Sequence, residues 1–316
     1  MKERGVWLPS GELKLVPPLI EKPEPLEDFS FDSQLEYFNQ LAQIREKHSL
    51  WQNEVDIKVE TGGLPLFLIP ISDPHLGHKG VDYSAIKKYI NFIRDYPVST
   101  ILLGDILDNF SPALIPEGML SDIAPPEEQA TITRAFFKEF SDKILAVVGG
   151  NHDAGTKRKS GFELHRYLAE DLNIPLLYGG GVINLTVDDE AYKIRGYHAI
   201  NRFNSSFNAT HAGKRALELA GDADIIMSGH THRGAVEKTT HRDHTKPTIV
   251  ACGTFKTEDD FQKNIGRIVP TDIFYPILAL FPNRHNVEAV EDLDTAKEMI
   301  EMTNLYYKQV AVSLLK

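Results

Sequence analysis

From about residue 55 onward, apolar runs alternate with amphipathic stretches. Residues 64–72 (LPLFLIPIS), 98–103, 144–148, 192–197, 224–227 and 247–251 are short, and all but 192–197 (YKIRGY) are largely apolar. That pattern predicts strands buried on both faces. Residues 83–95, 127–140, 162–172 and 211–220 place apolar side chains at helical spacing and predict helices. After residue 272, FYPILALFP and NVEAVED predict a closing hairpin, and 293–311 a final helix. Strands alternating with helices predict an α/β fold with a sheet covered on both faces. No internal repeat is visible.

Upstream the pattern is different. Residues 1–26 hold five prolines and no periodicity, which predicts an extended arm. Leu35, Phe38, Leu41 and Ile44 predict an amphipathic helix over 33–49 that packs at a domain edge. The expected organisation is therefore arm and helix over 1–54, an α/β domain over 55–292, and a C-terminal helix over 293–316 packed on that domain.

Charge narrows the function classes. Asp and Glu outnumber Lys and Arg by 45 to 34, for a net charge of -11. That argues against non-specific coating of nucleic acid, which needs summed positive charge, but leaves room for a substrate held by a local basic patch or by metals. Cys252 is the single cysteine, which excludes an internal disulfide and a Cys-based zinc site. No uninterrupted apolar run reaches the ~18 residues of a membrane span. The opening MKERGVWLPSGELKLVPP mixes charge and proline where a signal peptide needs an apolar run, so a cytoplasmic location is expected.

The candidate chemistry lies just past the end of each strand. The run 64–72 leads into Asp73-Pro74-His75, and 98–103 into Gly104-Asp105-Ile106-Leu107-Asp108. The run 144–148 leads into Gly150-Asn151-His152-Asp153, 192–197 into His198, and 224–227 into Gly229-His230-Thr231-His232. Ligands of open α/β sheets sit at the carboxyl ends of strands, so these residues are expected on one rim. Carboxylate, imidazole and amide oxygens in this number suit two ions of Mn²⁺, Fe or Zn²⁺ type better than one. Gly104, Gly150 and Gly229 stand where each strand must turn sharply beside a ligand.

In this order the five blocks resemble the calcineurin-like metallophosphoesterase superfamily, over about residues 65–290. The resemblance implies a four-layer α/β/β/α sandwich of two mixed β-sheets. It implies a first metal ion (manganese, or Fe, Zn or Ni) held by Asp73, His75 and His232. A second would be held by Asn151, His198 and His230, with Asp105 bridging both. Such ions lie ~3.5–4 Å apart and activate a bridging hydroxide for in-line attack on phosphorus. His152 would assist the leaving oxygen from beside the phosphate. Asp108 and Asp153 would orient imidazoles, with capping of a following segment as the alternative for Asp153. Tyr197-His198 ends a β-like run while His211 opens a helix, which favours His198 as the ligand and leaves His211 as the alternative. His78 reads as an exposed loop histidine, and His48, His165, His241, His244 and His285 have no motif context.

Three segments are candidates to frame a substrate: the long loop 109–126 as a lid, Lys157 and Arg158 as phosphate contacts, and the 201–211 loop. The last offers Arg202 and Asn204 with Phe203, Phe207 and Asn208, a mixture suited to a nucleotide or phosphodiester. Segment 252–265 could also line the rim. Within the superfamily the blocks look most similar to phage and bacterial phosphoesterases related to DNA-repair exonucleases. Only 84 residues follow His232, too few for the extra DNA-capping domain such nucleases carry. A nucleotide or an exposed DNA or RNA end is then the expected phosphodiester substrate. The alternatives are a phosphomonoesterase or nucleotide pyrophosphatase, and an idle metal-binding scaffold. The arm is a candidate surface for a homo-oligomer or another partner.

Overall fold

The computed structural model describes residues 5–7, 13–15, 30–47, 52–108, 121–160, 163–200, 208–240, 245–258 and 272–314. The chain divides into two compact units, Met1–Gln52 and Asn53–Lys316. In the first, β1 (Gly5–Trp7) pairs antiparallel with β2 (Leu13–Leu15), so part of the expected arm is a ladder. The helix α1 (Phe31–Lys47) forms as its periodicity predicts, but Leu35 and Phe38 are exposed. No helix among the described residues is long and apolar enough to cross a membrane.

The second unit is α/β. Its strands are β3 (Gln52–Val59), β4 (Leu66–Ile71), β5 (Val98–Leu102), β6 (Ile144–Val148), β7 (Leu176–Val187) and β8 (Glu190–Tyr197). Further along the chain come β9 (Ile225–Ser228), β10 (Ala235–Lys238), β11 (Thr248–Ala251), β12 (Ile277–Leu280) and β13 (Val287–Val290). Its helices are α2 (Tyr83–Asp95), α3 (Pro126–Glu139), α4 (Asn151–Ser160), α5 (Leu164–Asp171), α6 (His211–Ala220) and α7 (Leu293–Leu314). The helix α2 shows why the pattern was readable. Asp82 Oδ1 accepts from the N–H groups of Ser84 and Ala85 to start it, and Ile86, Tyr89, Ile90 and Ile93 bury one face.

The strands pair in the order β10-β11-β9-β8-β7-β6-β5-β4-β12-β13, with β3 also on β7. The runs β4-β5-β6 and β8-β9-β11 are each parallel inside. They meet through β7, which pairs parallel with β6 at Leu176–Leu177 and antiparallel with β8 from Gly180 to Val187. Were this path flat, β8, β9 and β11 would end at the edge opposite β4, β5 and β6. Instead the two sets of carboxyl ends touch: His198 Nε2, beyond β8, lies 3.1 Å from Asp105 Oδ2, beyond β5. The change of partner falls at Gly179 and Gly180, with φ of 70° and 141°, where a side chain would be strained. Among the described residues these strands thus form one mixed eleven-stranded sheet whose course, turning at β7, brings the two sets of carboxyl ends together. Strands β4, β9, β11 and β12 are buried at every residue, as parallel or covered strands are.

Candidate metal centre

Three of the five motif blocks are bent out of their strands by a backbone conformation that non-glycine residues rarely adopt. Asp73, His75, Asp105, His230 and His232 all have positive φ, between 46° and 68°. Strain of this kind costs of order 1–3 kcal/mol per residue and gathers where function requires it. Here it is held by hydrogen bonds between blocks. The Asp73 N–H donates to the Gly104 carbonyl at 3.1 Å and the His75 N–H to the Asp105 carbonyl at 3.1 Å. The Asp73 carbonyl accepts from Thr254 Oγ1 at 2.8 Å.

Two donor sets result. In the first, Asp73 Oδ2 accepts from the His230 N–H at 2.8 Å and from the Ser72 hydroxyl. That leaves Asp73 Oδ1 buried and without a hydrogen-bond partner. It faces His232 Nε2 at 3.2 Å and His75 Nε2 at 3.6 Å, and the two nitrogens are 3.1 Å apart. In the second, His198 Nδ1 donates to the Leu103 carbonyl at 2.7 Å. Its Nε2 then faces Asn151 Oδ1 at 2.9 Å and Asp105 Oδ2 at 3.1 Å, with His230 completing a three-donor group with Asp105 and His198. Asp105 also groups with His75 and His152, which places it between the two sets. Buried electron pairs aimed at one another need a proton or a cation between them. The donor set is therefore chemically suited to two divalent ions.

The electrostatics agree. Burial and Lys256 depress His75, but the carboxylates of Asp108 and Asp73 overcome both and push it up to about 9. Burial likewise opposes, and Asp105 and Asp73 outweigh it, to push His198 up to about 10. Against the cost of burial, the surrounding imidazoles hold Asp73 and Asp105 well below the usual carboxylate range. Burial lowers His230 and His232.

His152 stands at the start of α4, partly exposed. Its N–H donates to Asp105 Oδ1 at 2.8 Å, and its Nδ1 contacts the Asp108 carbonyl. Its Nε2 lies 3.9 Å from Asp105 Oδ2, on the side of the two donor sets. Asp108 Oδ1 lies 2.8 Å from His75 Nδ1. Asp153 uses its two oxygens differently. Its Oδ2 accepts from the backbone N–H groups of Asp105 and Gly150, both at 2.9 Å, because the first turn of α4 aims it back at the loops. Its Oδ1 lies 3.7 Å from Nδ1 of His165, an imidazole outside the two donor sets.

His211 opens α6 and belongs to neither donor set. Lys157 pairs with Glu163 at 2.9 Å and lies over the Tyr178 ring at 4.5 Å, its side chain partly exposed. Arg202 and Asn204, the Arg158 side chain, and residues 109–120 and 259–265 lie outside the described residues. His78 is buried and not exposed, with Nδ1 accepting from the Gly80 N–H at 2.9 Å. Two groups near the centre carry no sequence signature. Lys256 is 1% exposed and 3.3 Å from Asp108 Oδ1. Burial and the neighbouring Asp108 push Asp122 up to about 7.

Gly150 is required by close approach. A Cβ there would meet Asp105 N and Oδ1, each at 2.2 Å. Gly150→Ala is expected to destabilise by about 1–3 kcal/mol, as overpacking does, and to displace Asp105. Thermal unfolding together with metal content checks this; a variant with unchanged stability and metal content would contradict it.

The sequence profile of the family described as calcineurin-like phosphoesterase matches residues 69–234, more than half of the chain. Solved structures also align. A metallophosphoesterase from Sphaerobacter thermophilus is 17% identical, over 72% of this chain and 88% of that one, at a TM-score of 0.37. A calcineurin-like phosphoesterase from Bacillus subtilis is 10% identical, over 77% and 97%, at 0.37. The zinc complex of Vps29 from Entamoeba histolytica is 11% identical, over 72% and 99%, at 0.37. A search of curated proteins finds no match.

Proposed function

The chain belongs to the calcineurin-like phosphoesterase family, and from that premise we propose that it is a metal-dependent phosphodiesterase acting on a nucleotide or a nucleic-acid end. The observation that carries the reading is the pair of convergent donor sets around Asp105, with His152 beside them. Asp73, His75 and His232 would hold one ion, and Asn151, His198 and His230 the other, with Asp105 shared. When bound, two divalent ions supply Lewis-acid charge for the phosphoryl oxygens and acidify water. The protein supplies the rest. Asp108 and the Leu103 carbonyl fix the ring orientations of His75 and His198. The Asp108 carbonyl holds His152 Nδ1, so that Nε2 is the nitrogen left to carry a proton to the leaving oxygen. A proton at that atom matters most for a poor leaving group such as a nucleoside alkoxide. That, with the likeness of the motif blocks to DNA-repair exonuclease phosphoesterases, supports a diester substrate.

Hydrolysis of bis-p-nitrophenyl phosphate and p-nitrophenyl phosphate, by stripped protein reloaded with Mn²⁺, tests the substrate class. Faster diester cleavage is expected. Faster monoester cleavage would overturn the diester reading and leave the hydrolase reading intact.

Loading of the ions is expected to release protons. His75 and His198 stand at about 9 and about 10, so both rings are protonated at neutral pH in the metal-free protein. Their folded values are raised above the ordinary ~6.5. Their contribution to metal-free stability is therefore complete below ~6.5 and is lost as pH rises through 9 to 10. Metal competes with these protons, so affinity rises with pH up to that window, and about two protons leave per protein at pH 7. Calorimetric titration in buffers of different ionisation heat measures the release; none released would contradict the assignment.

A further inference from the structure

We propose that Lys256 is a positioning residue for the metal centre: its buried ammonium, acting through Asp108, keeps His75 aimed into the Asp73–His232 donor set. The inference rests on reading that set as a metal site. The path is short. Lys256 Nζ lies 3.3 Å from Asp108 Oδ1, which lies 2.8 Å from His75 Nδ1. On the far side of the same ring, Nε2 lies 3.1 Å from His232 Nε2. Both Lys256 and Asp108 are essentially without solvent contact. A buried ion pair often adds little net stability over apolar side chains of similar size, so its placement against a site-forming carboxylate points to a role beyond packing. Asp108 also contacts His152 through its carbonyl, so the same cation steadies a residue that serves both the donor set and the proton donor.

The backbone that carries Lys256 is clamped to the first motif block. The Lys256 N–H donates to Thr254 Oγ1 at 3.0 Å, and that hydroxyl donates to the Asp73 carbonyl at 2.8 Å. The Asp82 N–H donates to the Phe255 carbonyl at 2.8 Å, and Val81 bridges Lys256. The ammonium thus has a fixed location relative to Asp73 and Asp108. Asp122 is a further carboxylate beside Asp108 and Lys256. An ammonium there supplies the countercharge that lets Asp108 remain a charge-assisted acceptor for the His75 ring.

Co²⁺ titration of the chelator-stripped full chain, followed by visible absorption, tests the proposal. The wild type is expected to bind two ions, and the step abolished by His75→Ala identifies the first site. Lys256→Met is expected to weaken that step by roughly 10–100-fold and the other by no more than about threefold. Lys256→Arg is expected to restore it. A Lys256→Met variant that binds both ions like the wild type would overturn the proposal and leave the metal reading standing. A wild type that binds no Co²⁺ would overturn the metal reading itself. Should Lys256→Met fail to fold, Asp108→Asn with Lys256→Met removes both charges of the pair. In that cycle the double variant is expected to match Asp108→Asn alone, and a further tenfold loss (about 1.4 kcal/mol) would overturn action through Asp108.

Discussion

His152→Ala is expected to lower hydrolysis of a nucleoside phosphodiester by roughly 10²–10⁴-fold while both metal ions stay bound. The geometry separates these two readouts. His152 touches Asp105 through its backbone N–H, which alanine keeps, and its ring nitrogen Nε2 is 3.9 Å from the nearest Asp105 oxygen. Each donor set also has its full complement of side chains without it. The loss should depend on the leaving group. A nitrophenolate departs without a proton, so bis-p-nitrophenyl phosphate should suffer less than a dinucleotide. Kinetics on both substrates, with metal content measured on the same samples, decide the matter. Loss of metal, or an equal loss on both substrates, would remove His152 from the role of proton donor.

Asp105→Asn is expected to have the wider effect, weakening both metal sites by more than about 100-fold and abolishing turnover. Supporting groups that only orient a ligand are worth roughly 10–100-fold in affinity. Asp105 is instead shared between the donor sets, and its Oδ2 faces His198 at 3.1 Å. Asparagine replaces one carboxylate oxygen with a donor NH₂ and removes the negative charge that two cations would share. The backbone contacts that hold residue 105, to Asp153 and His75, do not depend on its side chain. The fold should therefore survive. Undiminished occupancy of two ions in this variant would exclude Asp105 as the shared group.

Most of the centre was legible because it is written locally. Each donor comes after an apolar strand, often past a glycine, and strand, turn and ligand lie within about ten residues of sequence. What the sequence could not show depends on partners far apart. Strand β7 was missed because its interest lies in changing neighbours at Gly179 and Gly180, and no apolar run marks that change. The strands β3 and β10 are partly exposed and lack a continuous apolar signature. Lys256 read as one polar residue in a rim segment, because its partner Asp108 lies 148 positions away. Asp153 also holds backbone: helix α4 begins at Asn151 and turns its Oδ2 toward backbone N–H groups, while its Oδ1 lies 3.7 Å from His165 Nδ1, a partner that no motif marks. The pairing of Lys157 with Glu163 and the Tyr178 ring has no motif to announce it in the sequence.

The two-metal reading is tested most directly by hydrolysis of a phosphodiester as a function of Mn²⁺ equivalents added to chelator-stripped protein, with bound metal quantified in parallel. The expected result is no hydrolysis in the stripped protein, two ions bound at saturation, and activity that appears as the second site fills. Hydrolysis that persists without metal would contradict it. So would a protein with two ions bound that cleaves neither phosphodiesters nor phosphomonoesters.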